Sequence, residues 1–391
     1  MLWQYKKTIR YLLKKFGWRA VYNFLYIKSF VRAGGEGADN RIGKYILPIL
    51  KHFPKLKPYI TSYPYTIEIE ITNKCNKKCL ICEHTYWNEP NRDLTFDEFL
   101  KIINCFPKLK WVNLTGEGDA FLNKDYLKMI EYLKSKNICV YLVDSFDLID
   151  ESKSAKLIQL GVDGIWISMD SANKEIYEKI KIGCDFDKII KNIKTLLQLK
   201  KKYKSPIPEL CFRYIITKLN LDGLSKFVEF IAKLRDDYDL GEGSKIEFAG
   251  LLYFPEVEHL YLSEIPKDIV FETLATARKY GMHVDFSHPE HSSKLPAMHL
   301  CSAWSEPYIM MGGYVMPCCA VLMSNKRDFL RKYSLGNIFE QSFEKIWYSE
   351  RYKKFRALIS NPSGQVPILC QGCRAFNTLD REKKYGVSSE I

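Results

Sequence analysis

Three cysteines on one short stretch constrain this chain more than any other feature of its sequence. Cys75, Cys79 and Cys82 form a C-x3-C-x2-C pattern directly after the alternating run 66–71, Thr-Ile-Glu-Ile-Glu-Ile. That alternation predicts a β-strand, so the cysteines are expected on a loop at its carboxyl end. Three thiolates on so short a loop can hold three irons of a cubane cluster. The fourth iron of a [4Fe–4S] cluster held in this way has no protein ligand and is open to a cofactor.

Other uses of these cysteines fit the spacing less well. Structural zinc sites usually combine two C-x2-C pairs or a mixture of Cys and His, and here the next histidine is His84, just after the third cysteine. A disulfide set is disfavoured because the trio is odd and no export signal is recognised. No run of about 18 apolar residues occurs, so no membrane-spanning helix is predicted. The sequence therefore predicts a reducing, cytoplasmic setting.

A second group of cysteines lies near the end of the chain. Four thiolates, from Cys301, Cys318, Cys370 and Cys373, can fully ligate another [4Fe–4S] cluster. A zinc ribbon is the alternative, because two separated cysteines followed by C-x2-C also suit zinc. Cys319 directly follows Cys318. The sequence therefore leaves open which of these two residues is the ligand.

Strand-like and helical segments alternate between the two cysteine groups. Strands are predicted at 66–72, 111–115, 138–143, 164–169, 209–217 and 245–250. Helices are predicted at 95–104, 124–136, 151–160, 173–181, 186–203, 221–235 and 266–280. Repeats of strand then helix imply parallel strands joined by right-handed crossovers. Folds of this kind carry their chemistry at the carboxyl ends of the strands, and the candidate residues fall there.

The cysteine loop after a first strand resembles the signature of the radical S-adenosylmethionine (radical SAM) enzymes. Ile81, just before Cys82, fits the apolar residue usual at that position. The resemblance implies a partial (β/α)6 TIM-like barrel and an open iron that binds the amino and carboxylate groups of SAM. It also implies that one electron cleaves SAM to methionine and a 5′-deoxyadenosyl radical, which abstracts hydrogen from a C–H bond. A reductant such as flavodoxin or ferredoxin is the expected partner.

Four polar residues are candidates for contacts with SAM. The turn around Glu117 resembles the family's Gly-Gly-Glu-Pro motif, although Thr115 replaces its first glycine; this implies that Glu117 accepts from the SAM amino group. Ser168, at the end of the fourth strand, is implied as a partner of the ribose. Asp170 is either a second ribose-side contact or a helix N-cap. Arg213 either points inward at the SAM carboxylate or lies on the polar face of the fifth strand.

The second cysteine group resembles the SPASM/twitch extension of radical SAM enzymes. Its order is C-x11-G-x4-C, then Gly-Asn-Ile and Ile-Trp, then C-x2-C. No cysteine follows Cys373, so the extension resembles the shorter, single-cluster twitch form, whose cluster is expected to transfer electrons. The implied domains are a basic helical segment at 1–60, the partial barrel at 61–285 and the SPASM/twitch-type cluster domain at 286–391.

The first 60 residues hold nearly all of the net charge. They contain 13 Lys and Arg and two acids, which gives +11 of the chain's +13. Residues 2–32 show apolar residues at helical spacing with cations and aromatics between them, which is typical of a helix on an anionic membrane surface. A helix packed on the barrel with a solvated basic face is the alternative. Specific nucleic-acid binding is disfavoured because no recognisable binding module accompanies the charge.

The motifs do not specify the substrate. The basic segment at 1–32 favours a membrane lipid or lipid-linked head group, with the protein peripheral at the cytoplasmic membrane face. The alternative is a peptide- or protein-modifying enzyme, of the kind that matures ribosomal peptides, although residues 1–60 contain no strand-rich peptide-recognition domain. A non-catalytic iron–sulfur electron carrier is a third hypothesis, which Glu117 and Ser168 at the strand ends disfavour.

Overall fold

A computed structural model describes residues 5–32 (26–32 as backbone only), 63–287, 306–319, 326–359 and 365–370. Cys301, Cys373 and residues 33–60 of the predicted basic helical segment at 1–60 lie outside the described residues. The strands are β1 Thr66–Glu70, β2 Trp111–Thr115, β3 Cys139–Asp144, β4 Gly164–Ser168, β5 Glu209–Ile216, β6 Ile246–Gly250, β7 Val284–Ser287, β8 Tyr308–Met310 and β9 Tyr314–Met316.

The helices lie between and after these strands. They are α1 Lys6–Arg32, α2 Phe96–Asn104, α3 Tyr126–Ser135, α4 Glu151–Leu160, α5 Lys174–Ile180, α6 Phe186–Lys202, α7 Leu224–Asp237, α8 Lys267–Tyr280, α9 Arg327–Tyr333, α10 Phe343–Trp347 and α11 Glu350–Ile359. The six predicted strands and the helices predicted after each of them are therefore confirmed.

All nine strands belong to one sheet, in the order β7-β6-β5-β4-β3-β2-β1-β8-β9. Neighbours from β7 to β8 are parallel, and only the β8–β9 hairpin is antiparallel. The α/β fold class with its partial barrel is thus confirmed. The strands β7, β8 and β9 were not predicted, because runs of three or four residues carry too little periodicity to be recognised.

Two faces of each strand have different neighbours. In β1, Ile67 and Ile69 are fully buried in the main hydrophobic core, together with residues of the surrounding helices. The alternate residues Glu68 and Glu70 lie on the other face of the strand, which is the barrel interior. The Ile-Glu alternation of the sequence therefore sorts apolar side chains toward the helices and carboxylates toward the barrel interior.

Capping side chains fix where several helices begin. Thr95 forms a capping box with Glu98 at the start of α2, and Asp150 and Asp185 accept from backbone N–H groups at the starts of α4 and α6. Asn173 caps α5 by accepting from the N–H of Ile176. The interpretation of Asp170 as an N-cap is therefore wrong, since the first turn of α5 lies beyond its reach.

The predicted amino-terminal helix exists, but it is interrupted at Gly17, whose φ of 78° lies outside the helical region. The α1 helix packs at the amino ends of the strands. The backbone N–H and hydroxyl of Thr8 donate to the Glu242 carboxylate, just before β6, over 3.0 and 2.9 Å. Phe16 lies against Gly161, just before β4. The alternative of a helix packed on the barrel is thus what the described part of α1 shows.

The outward face of α1 carries the basic charge. The cations Lys6, Lys7, Arg10, Lys14, Lys15 and Arg19 are all exposed. Trp18 is 72% exposed and Tyr22 60% exposed on the same helix. None of the helices in the described ranges combines the length and hydrophobicity needed to cross a bilayer.

Candidate cofactor site at the carboxyl ends of the strands

The cysteine loop follows β1 and is held at both ends by backbone hydrogen bonds. The N–H of Lys78 donates to the carbonyl of Ile182 over 2.8 Å, and the N–H of Leu80 donates to that of Ile180 over 2.9 Å. Ile81 is buried in a separate hydrophobic cluster. These contacts fix the loop without using the thiols of Cys75, Cys79 and Cys82, none of which is in a disulfide.

The turn after β2 packs directly on this loop. The N–H groups of Gly118 and Asp119 donate to the carbonyls of Thr72 and Lys74, over 3.2 and 2.8 Å. A Cβ atom at Gly118 would lie 2.5 Å from the Thr72 oxygen and 2.4 Å from the Lys74 oxygen, so a larger residue does not fit. The turn therefore meets the cysteine loop backbone to backbone, and this brings Glu117 to that loop.

Three potential ligand atoms meet where the two loops touch. The thiol of Cys82 and carboxylate oxygens of Glu83 and Glu117 all lie within 4.8 Å of one another. Burial, reinforced by the Glu117 carboxylate, raises the pKa of Glu83 well above its usual range, and burial raises the pKa of Glu117 to about 7. The two carboxyl groups can hydrogen-bond to each other only while one of them holds a proton.

A third acidic residue in this region is paired with a cation of the protein itself. Glu70, at the end of β1, accepts from Arg327 of α9 at both carboxylate oxygens, over 2.9 and 2.7 Å. It also accepts from the N–H of Met311 over 2.6 Å. The guanidinium carbon of Arg327 lies 4.6 Å from the centre of the Trp87 ring. This fully buried pair ties the carboxyl-terminal region to the strand that carries the cysteine loop.

Two buried lysines stand beside the cysteines. Lys77, between the first two cysteines, forms ion pairs with Asp119 and Asp147 over 2.5 and 3.7 Å. Burial raises the pKa of the Cys75 thiol, and Lys77 opposes that change. Burial likewise raises the pKa of Cys79, with Lys181 as the largest opposing influence. Both lysines therefore favour the thiolate form, which is the form that binds iron.

Lys181 also reaches two of the predicted site residues. Its ammonium group donates to the hydroxyl of Ser168 over 2.7 Å and lies 3.1 Å from Asp170. The second carboxylate oxygen of Asp170 accepts from the N–H of Ile215 over 2.8 Å. Ser168 thus lies at the strand end where it was predicted, while Asp170 braces β5 against the end of β4.

Arg213 lies on the interior face of β5 and is paired within the barrel. Its Nε donates to the Glu247 carboxylate of β6 over 2.8 Å, and its guanidinium carbon lies 4.8 Å from the Trp166 ring centre. On the other side of the interior, the amide of Asn113 donates to Glu68 over 2.9 Å. The inward orientation matches one of the two predicted placements, and a resident carboxylate already holds the charge.

The structure describes part of the second cysteine group. Cys370 is buried in the main core, and its N–H donates to the carbonyl of Pro367 over 2.8 Å. Cys318 is half-buried against the hydrophobic cluster that contains Leu369. Cys319 is exposed. Cys318 and Cys370 both contact the main hydrophobic core, whereas the thiol of Cys319 lies beside Cys318 and Glu68.

The donor set fits the implied cofactors. Three cysteine thiols on one loop, with a cationic lysine beside two of them, suit a site-open cluster. Neither carboxylate oxygen of Glu83 has a hydrogen-bond partner among the residues that the structure describes. Such a fully buried acceptor can accept a hydrogen bond from a bound cofactor.

Sequence reasoning missed Glu70, Lys77, Glu83, Lys181 and Arg327. Glu70 had a detectable signal, because an acid alternating with buried isoleucines must face the barrel interior. Glu83 follows the cysteine motif directly, but nothing in the motif distinguishes it. Arg327 comes from a distant helix, and its pairing arises only from the tertiary fold.

Two family models match the chain. One, described as Radical SAM superfamily, matches residues 69–231. The other, described as Iron-sulfur cluster-binding domain, matches residues 301–374. The first covers the strands and turns that position Glu117 and Ser168, and the second covers all four cysteines of the second group.

Curated relatives match over most of their length. The cofactor-modifying protein for tungsten-containing aldehyde ferredoxin oxidoreductase of Pyrococcus furiosus is 25% identical over 80% of this chain and 89% of its own. A probable GTP 3′,8-cyclase of Methanocaldococcus jannaschii is 25% identical over 74% and 97%. The PqqA peptide cyclase of Granulibacter bethesdensis is 22% identical over 79% of both.

Solved structures share the fold. SuiB of Streptococcus suis, bound to its precursor peptide SuiA, has a TM-score of 0.60 at 17% identity and covers 84% of this chain and 73% of SuiB. A structure of anSMEcpe with bound AdoMet has a TM-score of 0.54 at 17% identity, over 84% of this chain and all of that one. Its cofactors are SAM, the [4Fe–4S] cluster that binds SAM, and auxiliary iron–sulfur clusters in the carboxyl-terminal domain. By its two matching family models, the chain is a radical SAM enzyme with a SPASM-type domain.

Proposed function

We propose that this enzyme modifies a peptide or protein that enters the barrel at the carboxyl ends of its strands. The observation that carries the proposal is the polar lining of the barrel interior. Arg213 with Glu247, and Asn113 with Glu68, present donors and acceptors on opposite sides, as a peptide backbone requires. The relation to a peptide cyclase over most of both chains supports the same substrate class.

In this proposal each group of residues has a defined task. Cys75, Cys79 and Cys82 hold the cluster, which with bound SAM supplies one-electron cleavage and a hydrogen-abstracting radical. Glu117 accepts from the SAM amino group. Ser168 binds the ribose, and Lys181 holds its hydroxyl in position over 2.7 Å.

The remaining predicted residues act around that centre. Arg213, kept in place by Glu247 and Trp166, borders the space for SAM and substrate. Asp170 positions the end of β4 through Ile215. The cysteines assigned to the auxiliary cluster, which moves electrons, are Cys301, Cys318, Cys370 and Cys373.

A lipid substrate has less support. The basic helix α1, which motivated that hypothesis, packs at the amino ends of the strands, on Glu242 and Gly161. The cysteine loop leaves the carboxyl end of β1, at the opposite end of the barrel. A head group bound to the exposed cations of α1 would therefore be separated from the reaction centre by the length of the strands.

The decisive experiment measures 5′-deoxyadenosine formed by the anaerobically reconstituted, dithionite-reduced enzyme. Three additions are compared: peptides encoded beside the gene, GTP as a purine nucleotide, and total polar lipids. We expect product above background with SAM alone and stimulation by peptide. Stimulation by GTP alone would instead assign a nucleotide-type substrate, in line with the cyclase relative.

The matched variants are Cys75→Ala and Cys105→Ala. Cys105 lies at the end of α2, where its thiol donates to the carbonyl of Lys101 over 3.3 Å. We expect Cys75→Ala to lose the deoxyadenosine product and about half of the bound iron, and Cys105→Ala to keep both. The proposal would be contradicted if both the wild type and Cys105→Ala contained both clusters but formed no deoxyadenosine. That result would favour an electron carrier.

A further inference from the structure

Glu83 is the most unusual buried group of the described structure. Its side chain is fully buried, with 0% of the residue exposed to solvent. Neither of its carboxylate oxygens has a hydrogen-bond partner among the described residues. An unsatisfied buried carboxylate is costly, so a position that keeps one calls for a ligand with hydrogen-bond donors.

The surroundings of Glu83 limit what that ligand can be. A carboxylate oxygen of Glu83, one of Glu117 and the thiol of Cys82 lie within 4.8 Å of one another. Cys82 belongs to the cluster loop, which leaves two carboxylates for the ligand. A separate metal ion would need three or four ligands, so the pair suits a nitrogen donor better than a second metal.

Arg327 does not hydrogen-bond to Glu83 in this structure, although its Nε and Nη1 have no hydrogen-bond partner among the described residues. Its terminal Nη2 is already shared by both oxygens of Glu70, over 2.9 and 2.7 Å. The guanidinium plane is also held against the Trp87 ring. Arg327 therefore hydrogen-bonds to Glu70, and its charge opposes the rise that burial causes in the pKa of Glu83 and of Glu117, without a hydrogen bond to either.

We propose that Glu83 and Glu117 together form a two-acceptor cradle for the amino group of SAM. This inference rests on the proposed function, together with the binding of the SAM amino nitrogen to the open iron that the family resemblance implies. An amine nitrogen bound to a metal keeps two N–H bonds, and the cradle offers one carboxylate for each. Glu83 is thus a binding and orienting residue for SAM in addition to Glu117.

The cradle also orients the cofactor. A single acceptor would leave the second N–H of the amine without a partner in a buried site. Two acceptors on different loops, one after Cys82 and one after β2, define the rotation of the amine about its bond to the iron. The methionine end of SAM would then be held in one orientation, as controlled cleavage of one of three carbon–sulfur bonds requires.

The test uses full-length enzyme with both clusters and measures SAM binding by equilibrium dialysis. Glu83→Gln keeps the shape of the side chain and removes one acceptor oxygen. Glu89→Gln is the matched control, because Glu89 lies on the same loop and pairs with Arg331 instead. 5′-Methylthioadenosine, which lacks the amino and carboxylate groups of SAM, serves as the second ligand.

We expect Glu83→Gln to weaken SAM binding on the order of tenfold and to leave methylthioadenosine binding unchanged. Glu83→Asp, which keeps a carboxylate, should bind SAM more tightly than Glu83→Gln does. Unchanged SAM binding by Glu83→Gln would overturn the cradle, and so would an equal loss for both ligands or an equal loss in Glu89→Gln. If the wild type itself does not bind SAM, the proposed function fails together with the cradle.

Discussion

The two ends of the barrel treat buried charges in opposite ways. At the amino end, Lys200 of α6 is 1% exposed, and its ammonium group donates to the carbonyl of Pro208 over 2.7 Å. At the carboxyl end, Glu83 is equally buried and has no hydrogen-bond partner in the part of the chain that is described. At the amino end the buried ammonium group of Lys200 has a hydrogen-bond acceptor within the protein, whereas at the carboxyl end the buried oxygens of Glu83 are open to donors of a ligand.

Local packing differs in the same way. At the amino end, α1 closes the barrel with side chains such as Phe16 and with hydrogen bonds to Glu242. At the carboxyl end, the turn at Gly118 packs its backbone directly on the cysteine loop. There Lys77 and Lys181 form buried ion pairs with Asp119 and Asp170, which hold the loops in place. Contacts within the chain therefore hold the amino end, and the carboxyl end is preorganised around the cysteine loop.

The largest effect is expected where a buried charge at the carboxyl end loses its permanent partner. Arg327→Met leaves Glu70 buried without its cation, since the two side chains are 2% and 0% exposed. Breaking such a pair typically costs roughly 3–5 kcal/mol of the free energy of unfolding. Chemical denaturation of the apo protein, followed by circular dichroism, would measure the loss.

Arg331→Met is the control for that variant. Arg331 lies on the same helix and pairs with Glu89, but its side chain is 29% exposed. An exposed pair of this kind contributes about 0.2–1 kcal/mol. Equal losses in the two variants would show that the Glu70–Arg327 pair has no special place in joining the carboxyl-terminal region to β1.

A smaller, pH-dependent effect is expected at the amino end. Burial lowers the pKa of Lys200 to about 8, against the opposing charges of Asp239 and Glu209. The unfolded chain therefore holds this proton up to a higher pH than the folded one, and the free energy of unfolding rises with pH above about 8. In Lys200→Met the free energy of unfolding should rise with pH by a few kcal/mol less than in the wild type. Lys201→Met, which replaces an exposed residue, should keep the wild-type rise.

Denaturation at pH 8 and at pH 10 gives the required difference for each variant. The wild type and Lys201→Met should gain stability relative to Lys200→Met as the pH is raised. A wild type that follows the same pH profile as Lys200→Met would mean that Lys200 is solvated, and the contrast between the two ends would then disappear.

The smallest effect is expected on the outer face of α1. No carboxylate in the described ranges pairs with Lys14 or Arg19, and both side chains are exposed. The double variant Lys14→Glu/Arg19→Glu should change the free energy of unfolding by less than about 0.5 kcal/mol per site and leave deoxyadenosine formation unchanged. A loss of activity with intact folding would show that the two ends of the barrel communicate.

Much of this arrangement was predictable from the chain itself. Strand–helix alternation located six strands, and the spacing of Cys75, Cys79 and Cys82 indicated the cluster loop. The prediction for Glu117 concerned the SAM amino group, and its place beside that loop follows from the close backbone approach at Gly118. Local patterns of this kind predict the fold class and the residues that contact a bound cofactor.

The rest depended on long-range packing. Arg327 reaches Glu70 across more than 250 positions of sequence, and no periodicity predicts such a pair. A helix cap is one of the two predictions for Asp170, because acids commonly begin helices, yet Asn173 caps the helix and Asp170 accepts from the N–H of Ile215 in the next strand. The basic helix was associated with a membrane because charge and aromatics were visible, while its packing on the barrel was not.

The pairing of β8 with β1 has a consequence for the order of synthesis. Glu68 of β1 pairs with Tyr308, so the neighbour that completes the first strand is made about 240 residues after it. Until then the nascent barrel on the ribosome ends in an open β1 edge, which two glutamates protect from pairing with other chains. The cysteine loop shares that edge, so iron can be delivered to it before the last quarter of the chain closes over the strand.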